Sequence, residues 1–305
     1  MRIAILGATG CVGRNLINKL IKSSKHEIIA SYRIDKEVSK RLKNRRIIWT
    51  KVNMQDPAST EEFLRDADVL VYLIHSLGYT KFESLDIELA HQVSDASKRV
   101  GIKKIIYLSG IISKGQKLSH HLKSRVDTGV ALAAHGISVG EVRASILLGT
   151  CSASYRIVYF LSKRLPIMIT PSWLNSLCSP IALEDAVYVI ESLIMRDING
   201  HEIFEIGSDV LRYRDLVSLC GKAIHGYKNI IIPVPFFTIS LSALWIWLIT
   251  GVSRNLARAL AESIVDDTVF SHNRFKEITG RDPIPVEQAL YQCVEDMKKR
   301  EHQKT

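Results

Sequence analysis

Near its start the chain has an apolar segment, residues 3–6, that runs directly into three closely spaced glycines, Gly7, Gly10 and Gly13. A strand followed by such a loop and then by a helix is typical of a dinucleotide site. The first glycine permits a sharp turn, the second lets a pyrophosphate approach the backbone, and the third lets the helix lie close to the strand. The first helical turn then presents free amides to the phosphates. We therefore predict that a cofactor is held by Gly7, Thr9, Gly10, Cys11, Val12 and Gly13.

Further along the chain, apolar runs of strand length alternate with helical segments. The predicted strands after the first cover residues 27–32, 47–52, 69–74, 105–108 and 139–143. Six strands alternating with helices predict an α/β fold, a doubly wound parallel sheet of the Rossmann type, over residues 1–152. Residues 153–305 are less regular and predict a smaller C-terminal α+β segment on the substrate side. We expect this lid region to be partly integrated with the first domain.

The residues after the second predicted strand bear on the choice of cofactor. In dinucleotide folds an acidic residue at this point binds the ribose 2′-OH of NAD, whereas an arginine accommodates the 2′-phosphate of NADP. Ser31 and Tyr32 carry no acid, Arg33 is basic and Asp35 comes slightly late. We predict that NADP(H) is preferred over NAD(H). The alternative is that Arg33 is a solvated loop residue and Asp35 only starts the next helix.

Two more cofactor contacts are predicted at strand ends. Asn53 follows the third predicted strand and His75 follows the fourth, at the carboxyl edge where parallel sheets bind ligands. A histidine in a loop can equally serve only to hydrogen-bond the backbone. The ten histidines show no metal-like spacing, so no metal is expected. No Gly-x-Ser-x-Gly motif of a serine hydrolase occurs either.

Charge and cysteines set further expectations. The formal charge of +10 suits an anionic cofactor or an anionic membrane surface, and without a compact basic run we expect no nucleic-acid partner. The five cysteines are scattered, with no Cys-x-x-Cys pair, which predicts reduced thiols in a cytoplasmic protein. Because the first strand begins at residue 2, we also expect no signal peptide. The cysteines are Cys11, Cys151, Cys178, Cys220 and Cys293.

No charged residue occurs from Asn229 to Ser253. Two prolines interrupt the first part, which leaves a predicted helix from Phe236 to Thr250, shorter than the roughly 20 residues that a membrane span needs. This helix is expected to cover the substrate pocket or, alternatively, to lie in a membrane interface as a peripheral contact. Four neighbouring side chains suit headgroup depth: Trp245, Trp247, Arg254 and Arg258.

Several motifs can be compared with known families. They are Gly7-Ala-Thr-Gly10-x-x-Gly13, Ser109 at the end of the fifth strand, Arg143-Ala-Ser-x-x-x-Gly149 after the sixth, and Pro180-Ile-x-x-Glu-Asp185 at a later strand–helix junction. Together they resemble the atypical or extended short-chain dehydrogenases/reductases, in their NmrA-like branch. The turn His75-Ser-Leu-Gly78 is similar to one in poorly characterised bacterial NAD(P)-binding proteins. This resemblance covers essentially the whole chain and implies the fold and the cofactor, without specifying a substrate.

The sequence departs from this superfamily at the position of its proton-transfer pair. Catalytic members carry Tyr-x-x-x-Lys on the helix after the fifth strand, where the lysine and the cofactor ribose lower the tyrosine pKa. Here the helix carries His121-Leu-Lys-Ser-Arg125, and the i, i+4 spacing places its two ends on one face. We predict His121 as the proton donor and Arg125 as a ligand of the nicotinamide ribose. His120 takes the donor role if the register shifts by one.

Other candidates for catalysis are weaker. Ser109 is predicted to hydrogen-bond the reacting oxygen, although a serine at a strand end can also cap its own loop. Two Tyr-x-x-x-Lys matches lie away from the expected helix, and with ten tyrosines in the chain we attribute them to chance. These pairs are Tyr32 with Lys36 and Tyr159 with Lys163.

Two functions remain open from the sequence. The first is an oxidoreductase that transfers a hydride between NADP(H) and a carbonyl or alkene of a small apolar molecule. The second is a non-catalytic NADP(H)-binding sensor or scaffold, which would retain the phosphate glycines while losing the usual proton-transfer pair. Peripheral membrane association is compatible with both functions.

Overall fold

The structure is a computed structural model, and it describes residues 1–23, 25–34, 44–75, 82–112, 119–234, 239–251, 254–255, 257–258, 262 and 265–303. Its strands are β1 (Arg2–Leu6), β2 (Glu27–Tyr32), β3 (Ile47–Lys51), β4 (Val69–Tyr72), β5 (Lys104–Gly110), β6 (Ser138–Ala144), β7 (Leu147–Leu148), β8 (Ile167–Pro171), β9 (Leu177–Cys178), β10 (Ile181–Ala182), β11 (His201–Ile206), β12 (Leu211–Arg212) and β13 (Ile230–Val234). Its helices are α1 (Cys11–Ser23), α2 (Pro57–Leu64), α3 (Phe82–Val100), α4 (His120–Ala133), α5 (Ala153–Arg164), α6 (Leu183–Met195), α7 (Tyr213–His225), α8 (Ile239–Thr250), α9 (Phe275–Thr279) and α10 (Val286–His302).

The central sheet has seven strands in the order β11-β6-β5-β4-β1-β2-β3, and every neighbouring pair is parallel. From β1 the chain moves outward to β3 and then returns to β4 on the other side of β1. The point of reversal lies between β1 and β4, where open α/β sheets bind their ligands. The predicted doubly wound parallel sheet of the Rossmann type is confirmed. The seventh strand, β11, joins this sheet although it comes from the less regular second half of the chain.

Helices cover both faces of the sheet, which explains why β1 is apolar from Ile3 to Leu6. Ile3 and Ile5 point to the face covered by α1 and α6, and Ala4 and Leu6 point to the face covered by α2, α3 and α4. All four side chains are fully buried. The alternation along β1 therefore fixes the glycine loop that follows it at the carboxyl edge of a rigid sheet.

A second hydrophobic core holds the C-terminal region together. It lies among α5, α7, α8 and α10, and includes the fully buried rings of Tyr155 and Tyr159. Helix α6 packs against α1 of the first half, and within the C-terminal region it is tied to the segment after α9 by the buried carboxylate of Asp185. This carboxylate accepts hydrogen bonds from the Arg281 guanidinium and, at 2.7 Å, from the Ile284 amide. The predicted domain boundary at residue 152 stays a prediction.

The apolar stretch forms helix α8 from Ile239 onwards; residues 236–238 of the predicted helix lie outside the described residues. Ala243 and Thr250 are buried, whereas Leu244 and Leu248 are exposed. In the described part of the chain, no helix has the length and apolar character required to cross a membrane.

Candidate cofactor and active site

The glycine loop after β1 has the geometry of a tight turn. Gly7 has a φ of +83°, which side-chain-bearing residues rarely adopt, and its amide donates a 3.0 Å hydrogen bond to Ser31 Oγ at the end of β2. A 2.9 Å hydrogen bond from the Gly10 amide to the Gly7 carbonyl closes the turn. A Cβ on Gly7 would lie 3.0 Å from the carbonyl oxygen of Leu73. The turn is thus fixed by β2 on one side and by the end of β4 on the other.

Gly13 and Gly10 are needed for different reasons. A Cβ on Gly13 would lie 2.4 Å from the Gly7 carbonyl oxygen and 2.7 Å from Ala8 Cα, so α1 packs directly on the loop. A Cβ on Gly10 would meet only the Gly7 oxygen, at 3.1 Å. The protein therefore leaves one face of Gly10 open. The first turn of α1 contains no acidic side chain and presents amides without intrahelical partners, so this face fits a pyrophosphate.

A pocket of about 270 Å³ continues from this loop across the carboxyl ends of β4, β5 and β6. Its walls are mostly apolar, and among the described lining residues Arg125 carries the only permanent charge. The residues that line it are Gly7, Gly10, Cys11, Val12, Gly13, Leu73, His75, Leu108, Ser109, Gly110, Arg125, Ala144, Ser145, Leu147, Ser152, Ala153 and Ser154. The pocket therefore brings together five of the six predicted loop residues with three candidates from distant segments.

Ser109 and Arg125 meet at the end of β5. Ser109 is 4% exposed, and its hydroxyl makes no hydrogen bond of normal geometry within the described part of the structure, with the Tyr107 side chain as a polar neighbour. The Arg125 guanidinium donates to the Leu108 carbonyl and lies 5.1 Å from the centre of the Tyr107 ring. The Tyr107 hydroxyl in turn donates a 3.1 Å hydrogen bond to the Arg125 carbonyl. Arg125 is thus held in place, whereas the Ser109 hydroxyl remains available to a ligand in the pocket.

His75 follows β4 and stands beside the same pocket. Its side chain is exposed to solvent at the mouth of the pocket. Desolvation by the pocket wall and the positive charge of Arg125 lower the pKa of His75. The imidazole is therefore neutral at physiological pH, so it can accept or donate a hydrogen bond without adding a second positive charge beside Arg125.

Other predicted site residues lie outside this pocket or outside the described residues. Arg33 is exposed just after β2, and Asp35 is not described. Asn53 is exposed after β3, where its side chain accepts a 3.2 Å hydrogen bond from the Gln55 amide. The backbone of His121 lies in the first turn of α4, but its side chain and that of His120 are outside the described residues. Thr9 lies in the turn between Gly7 and α1 and is absent from the described lining.

The prediction of five reduced thiols is wrong for two cysteines near the pocket. Cys11 and Cys151 form a disulfide with their Cα atoms 5.4 Å apart, although 140 residues separate them in sequence. Cys11 is the first residue of α1 and Cys151 lies just before α5. The bond therefore ties the phosphate end of the pocket to its opposite wall. The predicted cytoplasmic location rested on all five thiols being reduced, and the disulfide removes that support. The remaining three are free and buried: Cys178, Cys220 and Cys293.

The pair Tyr159 and Lys163 does not belong to this site. Tyr159 is buried in the second core, and its hydroxyl donates a 3.3 Å hydrogen bond to Glu301 on α10. Lys163 forms a 2.7 Å salt bridge with the same carboxylate. Both side chains therefore hold α10 against α5, which agrees with attributing this Tyr-x-x-x-Lys match to chance. Lys36 of the other match lies outside the described residues.

Sequence reasoning missed the residues of the wall opposite the glycine loop. Ser145, Ser152 and Ser154, in the segment after β6, line the pocket, and none was a predicted ligand. The motif beginning at Arg143 pointed to this segment without assigning it a role. Ser31 was considered only as a non-acidic residue, yet it holds the Gly7 amide. Among the described residues, no group of three or more His, Cys, Asp and Glu side chains is placed to hold a metal ion.

Comparison with known families places these features in context. Residues 7–147 match a family model described as NAD(P)H-binding. The match covers just under half of the chain, and it agrees with the predicted resemblance to atypical short-chain dehydrogenases/reductases in the part that carries the glycine loop. No curated protein matches the chain in sequence.

Solved structures share the fold over nearly the full length. Triphenylmethane reductase of Citrobacter sp. complexed with NADP(H) aligns with a TM-score of 0.78 and 16% identity, covering 96% of this chain and 100% of the other. The NADPH-dependent quinone oxidoreductase of Escherichia coli, complexed with NADPH, gives 0.75 and 19%, covering 97% and 99%. UDP-glucose 4-epimerase of Thermotoga maritima, with UDP-glucose, gives 0.74 and 17%, covering 98% and 99%. At these identities the likeness establishes the fold alone.

Proposed function

We propose that the protein is an NADP(H)-dependent oxidoreductase that reduces a small apolar molecule carrying a carbonyl or a conjugated alkene. One observation carries this proposal: the pocket that begins at the open face of Gly10 ends at a buried serine hydroxyl without a partner, beside a fixed guanidinium. A buried hydroxyl left unpaired costs about 1–3 kcal/mol unless a ligand satisfies it. The arrangement therefore favours a polar ligand atom at Ser109 and apolar ligand surface elsewhere.

Each residue of the pocket has a defined role in this proposal. The nicotinamide, when bound, supplies the hydride. Arg125 orients the cofactor ribose from its fixed position, and Ser109 donates a hydrogen bond to the substrate oxygen that gains negative charge. His121, in the first turn of α4, donates the proton that completes the reduction. His75 remains neutral and contacts the nicotinamide side of the pocket.

The lining favours a planar apolar substrate over a nucleotide sugar. Apart from Arg125, the described lining residues offer only small hydroxyls, a disulfide, His75 and aliphatic side chains. Two of the structural neighbours are a triphenylmethane reductase and a quinone oxidoreductase. Quinones and triphenylmethane dyes are therefore the first substrate classes to screen with NADPH. UDP-glucose serves as the comparison compound from the epimerase class.

Cofactor binding can be tested separately from turnover. Isothermal titration of NADPH and NADH should show tighter binding of NADPH, because Arg33 follows β2, the position from which an arginine accommodates the 2′-phosphate in dinucleotide folds. Arg33→Ala should weaken NADPH binding about tenfold and leave NADH unchanged, since one charge-assisted hydrogen bond contributes about 1.5 kcal/mol or more. Gly10→Ala should weaken both cofactors while the melting temperature stays close to wild type. No cofactor binding by folded wild-type protein would refute the proposal.

Turnover tests use variants of the same pocket. Ser109→Ala should lower kcat by about 100-fold, the usual effect of losing one preorganised donor, with cofactor affinity nearly unchanged. His121→Ala should abolish turnover, whereas His120→Ala should leave it nearly unchanged. Loss of turnover in His120→Ala alone would move the donor role to His120, and full turnover in both variants would place the proton donor elsewhere.

A second function is favoured by the helix after β5. Helix α4 has no Tyr-x-x-x-Lys, and the described Tyr159–Lys163 pair is committed to Glu301. A non-catalytic NADP(H)-binding sensor or scaffold would need the glycine loop only. Tight NADPH binding without turnover of any quinone, dye or enone would favour this second function over the first.

A further inference from the structure

An exposed apolar surface lies on the two-stranded ribbon of β8 and β13. The strands pair in parallel, with Ile167 opposite Ile230 and Ile169 opposite Ile232. These four side chains are between 47% and 61% exposed, whereas Met168, which alternates with them, is fully buried. The four isoleucines therefore share the outer face of the ribbon, and neighbouring strands at about 4.8 Å place them side by side. We call this face the isoleucine ribbon.

Helix α8 extends this surface at one end. The Arg164 guanidinium, three residues before Ile167, donates to the Ile249 carbonyl of α8. The end of α8 is therefore anchored beside the start of the ribbon. Leu248, the residue before Ile249, is 69% exposed. The apolar surface thus combines strand and helix residues, whereas the sequence predicted a contact through the helix alone.

Basic and aromatic residues border the isoleucine ribbon. Lys228 and Arg164 are exposed just before the two strands, and within the described residues neither forms a salt bridge. Tyr227 is exposed next to Lys228. Tyrosine and basic side chains beside an apolar face are typical of the headgroup region of a bilayer.

Two long stretches of sequence that include the ribbon strands contain no acidic residue. Neither residues 142–183, which include β8, nor residues 216–261, which include β13 and α8, contain Asp or Glu, although the chain has 31 acidic residues. The two stretches together carry Arg143, Arg156, Lys163, Arg164, Lys222, Lys228, Arg254 and Arg258. Four of these eight, Arg143, Lys163, Lys222 and Arg258, form salt bridges with glutamates from outside the two stretches. The positive charge beside the ribbon therefore comes from Arg164 and Lys228, and a partner for this surface should be negatively charged and apolar.

We propose that the isoleucine ribbon and the end of α8 dock the protein on an anionic lipid bilayer as a peripheral membrane protein. The bilayer supplies negative headgroups for Arg164 and Lys228 and a hydrocarbon boundary for the isoleucines. A second copy of the chain fits less well, because a two-fold contact through this surface would bring the positive charges of Arg164 and Lys228 from both copies together. The inference is independent of catalysis, although a bilayer would also hold an apolar substrate of the proposed reaction.

The test is co-sedimentation of the full chain with vesicles, without cofactor. Wild type should bind vesicles of phosphatidylcholine with phosphatidylglycerol, bind phosphatidylcholine alone weakly, and lose binding as salt rises. The double variant Ile167→Ser and Ile232→Ser should weaken binding at least about tenfold, since it removes apolar area from the contact. Lys228→Ala should weaken binding about fivefold. Matched controls are Val130→Ser and Met195→Ser, which are similarly exposed on α4 and α6 and should bind as wild type.

Several results would overturn the docking proposal. Wild type that fails to bind anionic vesicles refutes it, as do isoleucine variants that bind as well as the matched controls. A dimer in light scattering that the isoleucine variants dissociate would assign the surface to a second copy instead. NADPH titration reports folding of each variant and separates this test from the proposed function. If the double variant fails to fold, Lys228→Ala and the salt dependence still decide the outcome.

Discussion

Reduction of the Cys11–Cys151 disulfide should destabilise the protein markedly. The bond joins the first residue of α1 to the turn before α5, so it closes a loop that contains most of the central sheet. In the unfolded chain this link removes many conformations, and its loss restores their entropy. Tris(2-carboxyethyl)phosphine removes the bond without a mutation, and Cys151→Ser removes it permanently.

The expected magnitude follows from the sequence separation of 140 residues. The chain-entropy relation gives about 5 kcal/mol at 25 °C for a closed loop of this length, and measured values are commonly about 2–4 kcal/mol. With an m value of about 3 kcal/mol/M, a loss of 3 kcal/mol lowers the urea midpoint by about 1 M. The three remaining cysteines do not interfere, because burial raises the pKa of each to about 12 and keeps the thiols protonated.

The assay is urea unfolding followed by circular dichroism, with and without the phosphine. Oxidised wild type should have the highest midpoint, and reduced wild type should coincide with Cys151→Ser in either condition. Mass spectrometry confirms the redox state of each sample. If reduced wild type unfolds at the oxidised midpoint, or if the phosphine shifts Cys151→Ser by as much as wild type, the reasoning is wrong.

Three other outcomes can be measured on the same protein. Glu141 is fully buried, and burial opposes its ionisation. Hydrogen bonds from His201 and Arg143 outweigh this effect and lower the pKa of Glu141. The ionised carboxylate therefore stabilises the fold above its ordinary pKa, and this stabilisation is lost as pH falls. Glu141→Gln should therefore lose about 3 kcal/mol at pH 7, and its unfolding free energy should fall less steeply than that of wild type in acid titrations. Asp185→Ala should destabilise by about 2 kcal/mol in urea unfolding, because it removes the buried acceptor of the Arg281 guanidinium and the Ile284 amide, whereas exposed Asp282→Ala should change little. Native oxidised protein should react with no equivalent of Ellman's reagent, and mild reduction should release two fast thiols, not the buried ones at Cys178, Cys220 and Cys293.

The sequence was sufficient to predict the Rossmann sheet because each central strand is a short apolar run between turn residues. β2 begins and ends at the predicted residues, and the other predicted strands differ by one or two. The place of β11 beside β6 was not predicted, since a short strand sequence does not say which edge of a sheet it joins. Helix α10 was missed although its buried positions follow a helical spacing: Val286, Ala289, Leu290, Cys293, Val294 and Met297.

The two halves of the site differed in how far they could be predicted. The phosphate loop depends on backbone geometry, which three glycines within seven residues specify locally. The opposite wall depends on side chains from β5, α4 and the segment after β6, which only the tertiary fold brings together. Ser109 and Arg125 were found because of the family resemblance. The disulfide had no local pattern to reveal it.

One disulfide links these two halves of the site, so the shape of the pocket should depend on whether that bond is oxidised or reduced. Cys11 contributes both the sulfur bonded to Cys151 and an amide at the positive end of α1. Reduction leaves that amide in place but frees the wall that carries Cys151 and Ser152, so it should affect the substrate side of the pocket more than the phosphate side. NADPH affinity should then change little on reduction, whereas Michaelis constants for quinones or dyes should rise. Equal losses in both quantities would instead indicate that the phosphate loop itself depends on the bond.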